Sequence, residues 1–192
     1  MIYPIVAYGD NALRESTREL SPETPDLQQI IANMYETMYN ASGVGLAAPQ
    51  VGLPYRLFVV DAKPMKDLDD EPDTATFRQT FINPEILAEE GDEWDFEEGC
   101  LSIPGIRETV WRQPKITIRY YDENWEEHTR TLTGIKARIV QHEYDHIEGV
   151  LFTDYLSGLK KRLLKKKLNK IAKGKIEVDY EMRFPLAGKP AR

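Results

Sequence analysis

Apolar side chains recur at Leu27, Ile30, Ile31, Met34, Tyr35 and Met38. That is the i, i+3, i+4 spacing of one helix face, so residues 25–41 are predicted as an amphipathic helix. Thr24 is its expected N-cap and Pro25 its first residue. The period then breaks in SGVGLAAPQVGLP (42–54), which reads as a loop, before YRLFVVD (55–61) reads as a buried strand. Residues 62–78 are acidic and contain proline, and an exposed, mobile excursion between strands is expected there. Five further strands are predicted: TFINPEIL (80–87), EWDFEEG (93–99), IRETVW (106–111), KITIRYYD (115–122) and EEHTRTL (126–132). Alternation is clean over Lys115, Ile116, Thr117, Ile118 and Arg119, as in a sheet wet on one face. A helix follows over 135–148 with Gly149 as its C′ residue, and a second over 155–173 that stops near Gly174. KIEVDYEMRF (175–184) reads as a last strand and residues 185–192 as a flexible tail. A run of strands with helices outside it predicts an α+β fold, in which mostly antiparallel sheets pack around the helix at 135–148 and a further helix lies C-terminal.

Length and composition narrow the class. At roughly 150 residues per domain, the 192 residues predict one domain, set here at 1–184. A content of 41% hydrophobic residues argues against wholesale disorder, and no apolar run is long enough for a transmembrane helix. The single cysteine excludes an intrachain disulfide. The start, MIYPIVAYGD, has the features of neither a secretory leader nor a transit peptide, so a cytoplasmic protein is expected. Net charge is −7, but residues 160–175 hold nine Lys/Arg and no acid, leaving 16 basic and 32 acidic residues elsewhere. Such asymmetry fits an acidic body with a basic handle for an anionic partner. It also fits a plain solvated helix, with Leu159, Leu163, Leu164, Leu168 and Ile171 packing it onto the body.

The strongest chemical signal is QHEYDH at 141–146, which matches H-E-x-x-H. Positions i and i+4 are offset by about 40° around a helix, so His142 and His146 project from one face. They continue the inward stripe of Ile135 and Ile139, where two imidazoles need partners that one metal ion supplies. Glu143 sits beside them, within reach of a water at that metal. A catalytic metal needs a third protein ligand. His128 alternates within a predicted strand and does not fit; Glu148 and Asp154 follow downstream, and Cys100 stands after a glycine in EGCLS. The residues alone leave this choice open. They also leave open an H-E-x-x-H endopeptidase, and a noncatalytic RNA- or ribosome-binding module that keeps the metal structurally. The aromatic interleaving of single-strand binders is missing from 160–175.

Three stretches together decide more. GVGLAAPQ (43–50), EGCLS (98–102) and QHEYDH (141–146) resemble, in order and spacing, the signature motifs of peptide deformylases, and the likeness runs from YGDNALR near the N-terminus to LFTDYL near residue 156. The resemblance implies one divalent metal ion bound by Cys100, His142 and His146, with Fe2+ expected and Zn2+, Ni2+ or Co2+ as substitutes. It implies removal of the formyl group from N-formylmethionyl nascent polypeptides, with Glu143 moving the proton and with Gln50 and the Leu101 N–H facing the oxyanion. It further implies an extended substrate beside Gly43, Val44 and Gly45. The matching methionine-pocket positions are Val44, Phe96, Ile135, Arg138, Ile139 and His142, with Gly99 also against the substrate. Arg138 is expected to line that pocket with its stem and send its head to water. Glu98 and Arg112 are expected as a supporting ion pair. Partners are then nascent chains and, through the basic helix 160–173, the ribosome; no membrane and no DNA are expected, and the cell compartment is the bacterial cytoplasm.

Overall fold

The computed structural model describes residues 1–68 and 70–187. The chain runs β1 (Ile5–Val6), α1 (Leu27–Asn40), β2 (Gly45–Ala47), β3 (Leu57–Asp61), β4 (Arg78–Glu90), β5 (Trp94–Gly99), β6 (Arg107–Arg112), β7 (Lys115–Tyr121), β8 (Glu127–Thr133), α2 (Gly134–Ile147), α3 (Gly158–Ala172) and β9 (Met182–Arg183). A five-stranded antiparallel sheet has the order β2-β3-β4-β7-β8; β5 and β6 form an antiparallel ribbon, and β1 pairs with β9 in parallel. The α+β expectation holds.

The continuous apolar run of β3 follows from its position. Phe58 and Val60 face the core under α2, with Phe81, Ile116, Ile118, Ile135 and Ile139. Leu57 and Val59 face the opposite way, onto Ile31, Met34 and Met38 of α1. Helices cover the strand on both faces, so both alternating sets are apolar. A third core joins Leu164, Leu168 and Ile171 of α3 to Val6, Ile103 and Val110.

The sequence expectations fail at several element ends. At the start of α1, Asp26 is the capping residue, at φ 57°, with no side-chain cap bond. Thr24 is occupied elsewhere, its Oγ1 accepting from the Ser21 N–H at 3.0 Å in a closed turn. The predicted loop 42–54 contains β2 and a 3-10 turn over Ala48–Val51. The acidic excursion is held at its base, where the Ala62 N–H donates to the Phe77 carbonyl at 2.9 Å and both residues are buried. Its Glu71 and Asp73 also pair with the buried Lys136 at the start of α2. The predicted strand 175–184 shrinks to Met182–Arg183, because β1 offers only Ile5 and Val6 as partners. Residues 155–156 precede α3, which Ser157 caps by accepting from the Lys160 N–H. The α3 stripe divides: Leu164, Leu168 and Ile171 are buried, whereas Leu159 and Leu163 stand 61% and 72% exposed. Of the predicted tail, Leu186 donates to the Ala172 carbonyl at 3.0 Å, and residues 188–192 lie outside the described residues.

Candidate active site and metal centre

Helix α2 carries His142, Glu143 and His146. It stops where predicted: Gly149 adopts φ 71°, its N–H donates to the His146 carbonyl, and the Val150 N–H donates to the Asp145 carbonyl at 2.8 Å. This is the paired bonding of a glycine-terminated helix, which satisfies the last free carbonyls. Cys100 enters from a turn closed by the Ile103 N–H on its carbonyl at 2.9 Å. Cys100 Sγ lies 3.3 Å from His146 Nε2. One ligand atom from each of Cys100, His142 and His146 fits within 4.8 Å of the others. A thiolate and two imidazoles so converged fit a divalent transition metal. The other cluster of this kind among the described residues, Asp122, Glu126 and His128, is spent on its own turn: Asp122 accepts the Asn124 and Glu126 N–H groups and bonds His128.

Glu98 orients the centre from behind. Its buried carboxylate accepts Arg112 Nε and NH2 at 2.7 and 3.0 Å, Arg138 NH1 at 3.0 Å and His142 Nδ1 at 2.9 Å. Burial alone would raise its pKa, but the bonds from His142 and Arg112 hold it well below the usual carboxylate range. An ionised carboxylate only accepts, so His142 Nδ1 carries a proton and Nε2 is left free for a ligand. The expected Glu98–Arg112 pair is thus present, extended by Asp145 at 2.8 Å from Arg112 NH1. Breaking it by Arg112→Ala leaves Glu98 buried with fewer donors, and urea unfolding of the metal-loaded protein is expected to show a loss of about 3–5 kcal/mol. A change below 1 kcal/mol would show that Arg138 and His142 suffice.

The centre opens on a cleft of about 480 Å³. Gly43, Val44, Gly45, Gln50, Phe96, Gly99, Leu101, Arg138, Ile139 and Glu143 line it together with Cys100 and His142, whereas Ile135 and His146 do not. Ile135 is fully buried in the core behind the wall. Arg138 corrects the sequence reading: it is 2% exposed, and its head turns inward to Glu98, the Val110 carbonyl and the Trp94 carbonyl. A buried guanidinium needs a carboxylate and acceptors, and Glu98 with two strand carbonyls provides them.

The three motifs touch one another. A Cβ on Gly45 would lie 2.7 Å from both Cγ and Cδ of Glu143, and one on Gly43 would lie 2.8 Å from Leu101 Cδ1. Gln50 Oε1 accepts the Ala47 N–H at 2.9 Å, which points Nε2 at Cys100 Sγ (3.5 Å) and Ser102 Oγ (3.3 Å). Burial raises the Glu143 carboxyl to about 7, and its Oε2 has no hydrogen-bond partner among the described residues. Burial, reinforced by His142, lowers His146 well below its ordinary value. Sequence reasoning missed Met65, Arg107 and Tyr180 in the cleft wall. Met65 and Tyr180 come from the excursion and the post-α3 segment, where no periodicity marked an inward residue.

Fold and site define the class as an α+β metallohydrolase with its candidate centre opening on a cleft. Residues 2–162 match the model of the polypeptide deformylase family. A peptide deformylase from Christiangramia forsetii is 59% identical, with 98% of this chain and 99% of that protein covered. One from Flavobacterium johnsoniae is 56% identical over the same shares of both chains. Among solved structures, a Legionella pneumophila peptide deformylase superposes with a TM-score of 0.77 at 39% identity, covering 88% of this chain and 95% of the other. The chain belongs to the polypeptide deformylase family. It is a metal-dependent hydrolase that removes the N-terminal formyl group from nascent polypeptides. Among the described residues no helix is long and apolar enough to cross a membrane.

Proposed function

We propose that Cys100, His142 and His146 hold one divalent ion and that Glu143, Gln50 and the Leu101 N–H carry out deformylation beside it. The observation that carries this reading is the convergence of the three ligand atoms within 4.8 Å, next to a buried carboxylate with one oxygen unpartnered among the described residues. The ion, when bound, supplies Lewis acidity, polarising the formyl carbonyl and making water acidic enough to ionise near neutrality. Glu143 accepts the proton of the attacking water and returns it to the amine as the C–N bond breaks, giving formate and a free N-terminus. Gln50 Nε2 and the Leu101 N–H face the oxygen where negative charge develops. Gln50→Ala is expected to lower kcat roughly 10²–10³-fold, the cost of one such donor, measured by formate release.

The substrate backbone adds to the free edge at β2, beside Gly43, Val44 and Gly45, as an extra strand. Its methionine side chain fills the space walled by Val44, Phe96 and Ile139, with Gly99 at the rim. The ion is Fe2+ in the cell on this reading; the donors accept Zn2+, Ni2+ and Co2+ as well, and the choice of iron rests on the family resemblance. Anaerobic purification followed by elemental analysis and a formate-release assay tests it. One equivalent of iron and rapid turnover of formyl-Met-Ala-Ser are expected. No stoichiometric metal of any kind would overturn the site; zinc in iron's place would overturn the identity.

The basic helix gives the reading its place in the cell, the bacterial cytoplasm at the ribosome. On α3, Lys161, Arg162, Lys165, Lys166, Lys167 and Lys170 are all exposed, as are Leu159 and Leu163. Exchanging Lys161, Lys165, Lys166 and Lys170 for Gln is expected to abolish salt-sensitive co-sedimentation with ribosomes while sparing activity on short peptides. Unchanged sedimentation would remove this element alone. Residues 1–184 act as one catalytic domain on this reading, supported by the pairing of β9 with β1, which joins the two ends of the chain.

A further inference from the structure

The turn that carries Cys100 and Leu101 has its three carbonyls taken from three parts of the chain. The Ile103 N–H donates to Cys100 at 2.9 Å, and the Tyr8 N–H donates to Ser102 at 2.8 Å. The Tyr180 hydroxyl, 79 residues away in sequence, donates to the Leu101 carbonyl at 2.8 Å. The Leu101 N–H donates to no acceptor among the described residues. Tyr180 is half-buried, lines the same cleft and packs in the core cluster that includes Leu101. Its segment is fixed at both ends. Upstream, Gly174 closes α3 with its N–H on the Ile171 carbonyl at 2.9 Å. Downstream, Met182 and Arg183 pair with β1, and Arg183 NH2 reaches Asp10 at 3.3 Å.

We propose that Tyr180 is a positioning residue for deformylation, whose hydroxyl, on the Leu101 carbonyl, clamps the turn that presents the Leu101 N–H to the cleft. The inference rests on the reading of that N–H as an oxyanion donor. The Leu101 N–H shares a peptide plane with the Cys100 carbonyl, which Ile103 holds, and the Tyr180 hydroxyl holds the plane after it, so the two bonds together fix φ and ψ of Leu101; its side chain abuts Gly43, with only 2.8 Å to a Cβ placed there. Among the described residues, the Tyr180 hydroxyl supplies the hydrogen bond that holds the peptide plane after Leu101. Burial, with Cys100 adding to it, pushes this phenol up to about 12, so it stays a donor throughout the working pH range. An oxyanion donor works over a window of roughly 2.7–3.1 Å, so a small tilt is felt in the transition state rather than in substrate binding.

The test compares wild type and Tyr180→Phe as full-length, zinc-loaded protein on formyl-Met-Ala-Ser. The expected result is a roughly 3–10-fold fall in kcat, the scale of one neutral hydrogen bond, with KM unchanged within twofold. Metal content should hold at one equivalent, and the Leu101 amide resonance should move in 1H–15N spectra. Retention of the ring keeps packing intact, and Tyr180→Trp serves as a second variant without the phenol if the first is unstable. An unmoved Leu101 resonance with unchanged kcat would overturn the proposal. A moved resonance with unchanged kcat would overturn it too, and would place the fault in the oxyanion reading. A rise in KM alone would make Tyr180 a substrate contact instead.

Discussion

Glu143→Ala is expected to lower turnover of formyl-Met peptides by at least 10²–10⁴-fold, the contribution typical of a positioned acid–base group, while keeping one metal ion per chain. The expectation follows from where the carboxylate is held. It is 4% exposed, it presses against Gly45 so closely that a Cβ there would force it to move, and one of its oxygens has no hydrogen-bond partner among the described residues. A carboxylate in such a place costs stability and is satisfied only when a proton donor arrives in the cleft. Burial raises it to about 7, close to the operating range of a group that must both accept and return a proton. His142 and His146 are on the neighbouring turns of α2 and do not depend on the Glu143 side chain for orientation, since Glu98 holds His142. Metal content should therefore survive. Formate release paired with elemental analysis reads both outcomes, and a Glu143→Ala protein with native turnover would remove Glu143 from the mechanism.

The helix that carries the two histidines and its glycine stop were legible because both obey short-range rules: i, i+4 spacing for the histidines and a positive φ at Gly149. Alternation over residues 115–119 placed Ile116 and Ile118 on the buried face of β7 for the same reason. What failed depended on distant partners. Thr24 has the right chemistry for a cap but is spent on Ser21, and the strand expected over 175–184 had no partner of matching length to meet. Arg138 was expected to snorkel because nothing local revealed that Glu98, forty residues away, would turn its head inward. The resemblance placed a substrate beside Gly43 and Gly45, but the side chains that approach them in the fold, Leu101 and Glu143, come from the other two motifs. Cys100 was the sharpest case. The glycine before it kept it among the open candidates for a third ligand, but only the joint likeness of three motifs singled it out; the fold sets its sulfur 3.3 Å from His146.

Cys100→Ala and His146→Ala are each expected to lose the metal and, with it, turnover down to background. The site offers three protein donors from two rigid supports, helix α2 and the turn closed by Ile103 on Cys100. Removing one leaves a pair, and a pair holds a labile ion poorly in a protein that has to compete with other ligands in the cell. A readout independent of catalysis separates loss of the ion from loss of chemistry. A metal bound to the folded state alone stabilises it by about 4 kcal/mol when present at roughly 1,000 times its Kd. Wild-type protein should therefore unfold at a markedly lower temperature after chelation, whereas the Cys100→Ala protein should be indifferent to the chelator. His142 would still be held by Glu98 at 2.9 Å in that variant, so the difference reports the missing thiol rather than a collapsed helix. Should Cys100→Ala retain one equivalent of metal and the wild-type response to chelation, the third ligand would have to be sought elsewhere in the cleft, and the proposed role of Gln50 Nε2, aimed at that sulfur from 3.5 Å, would need to be rebuilt around it.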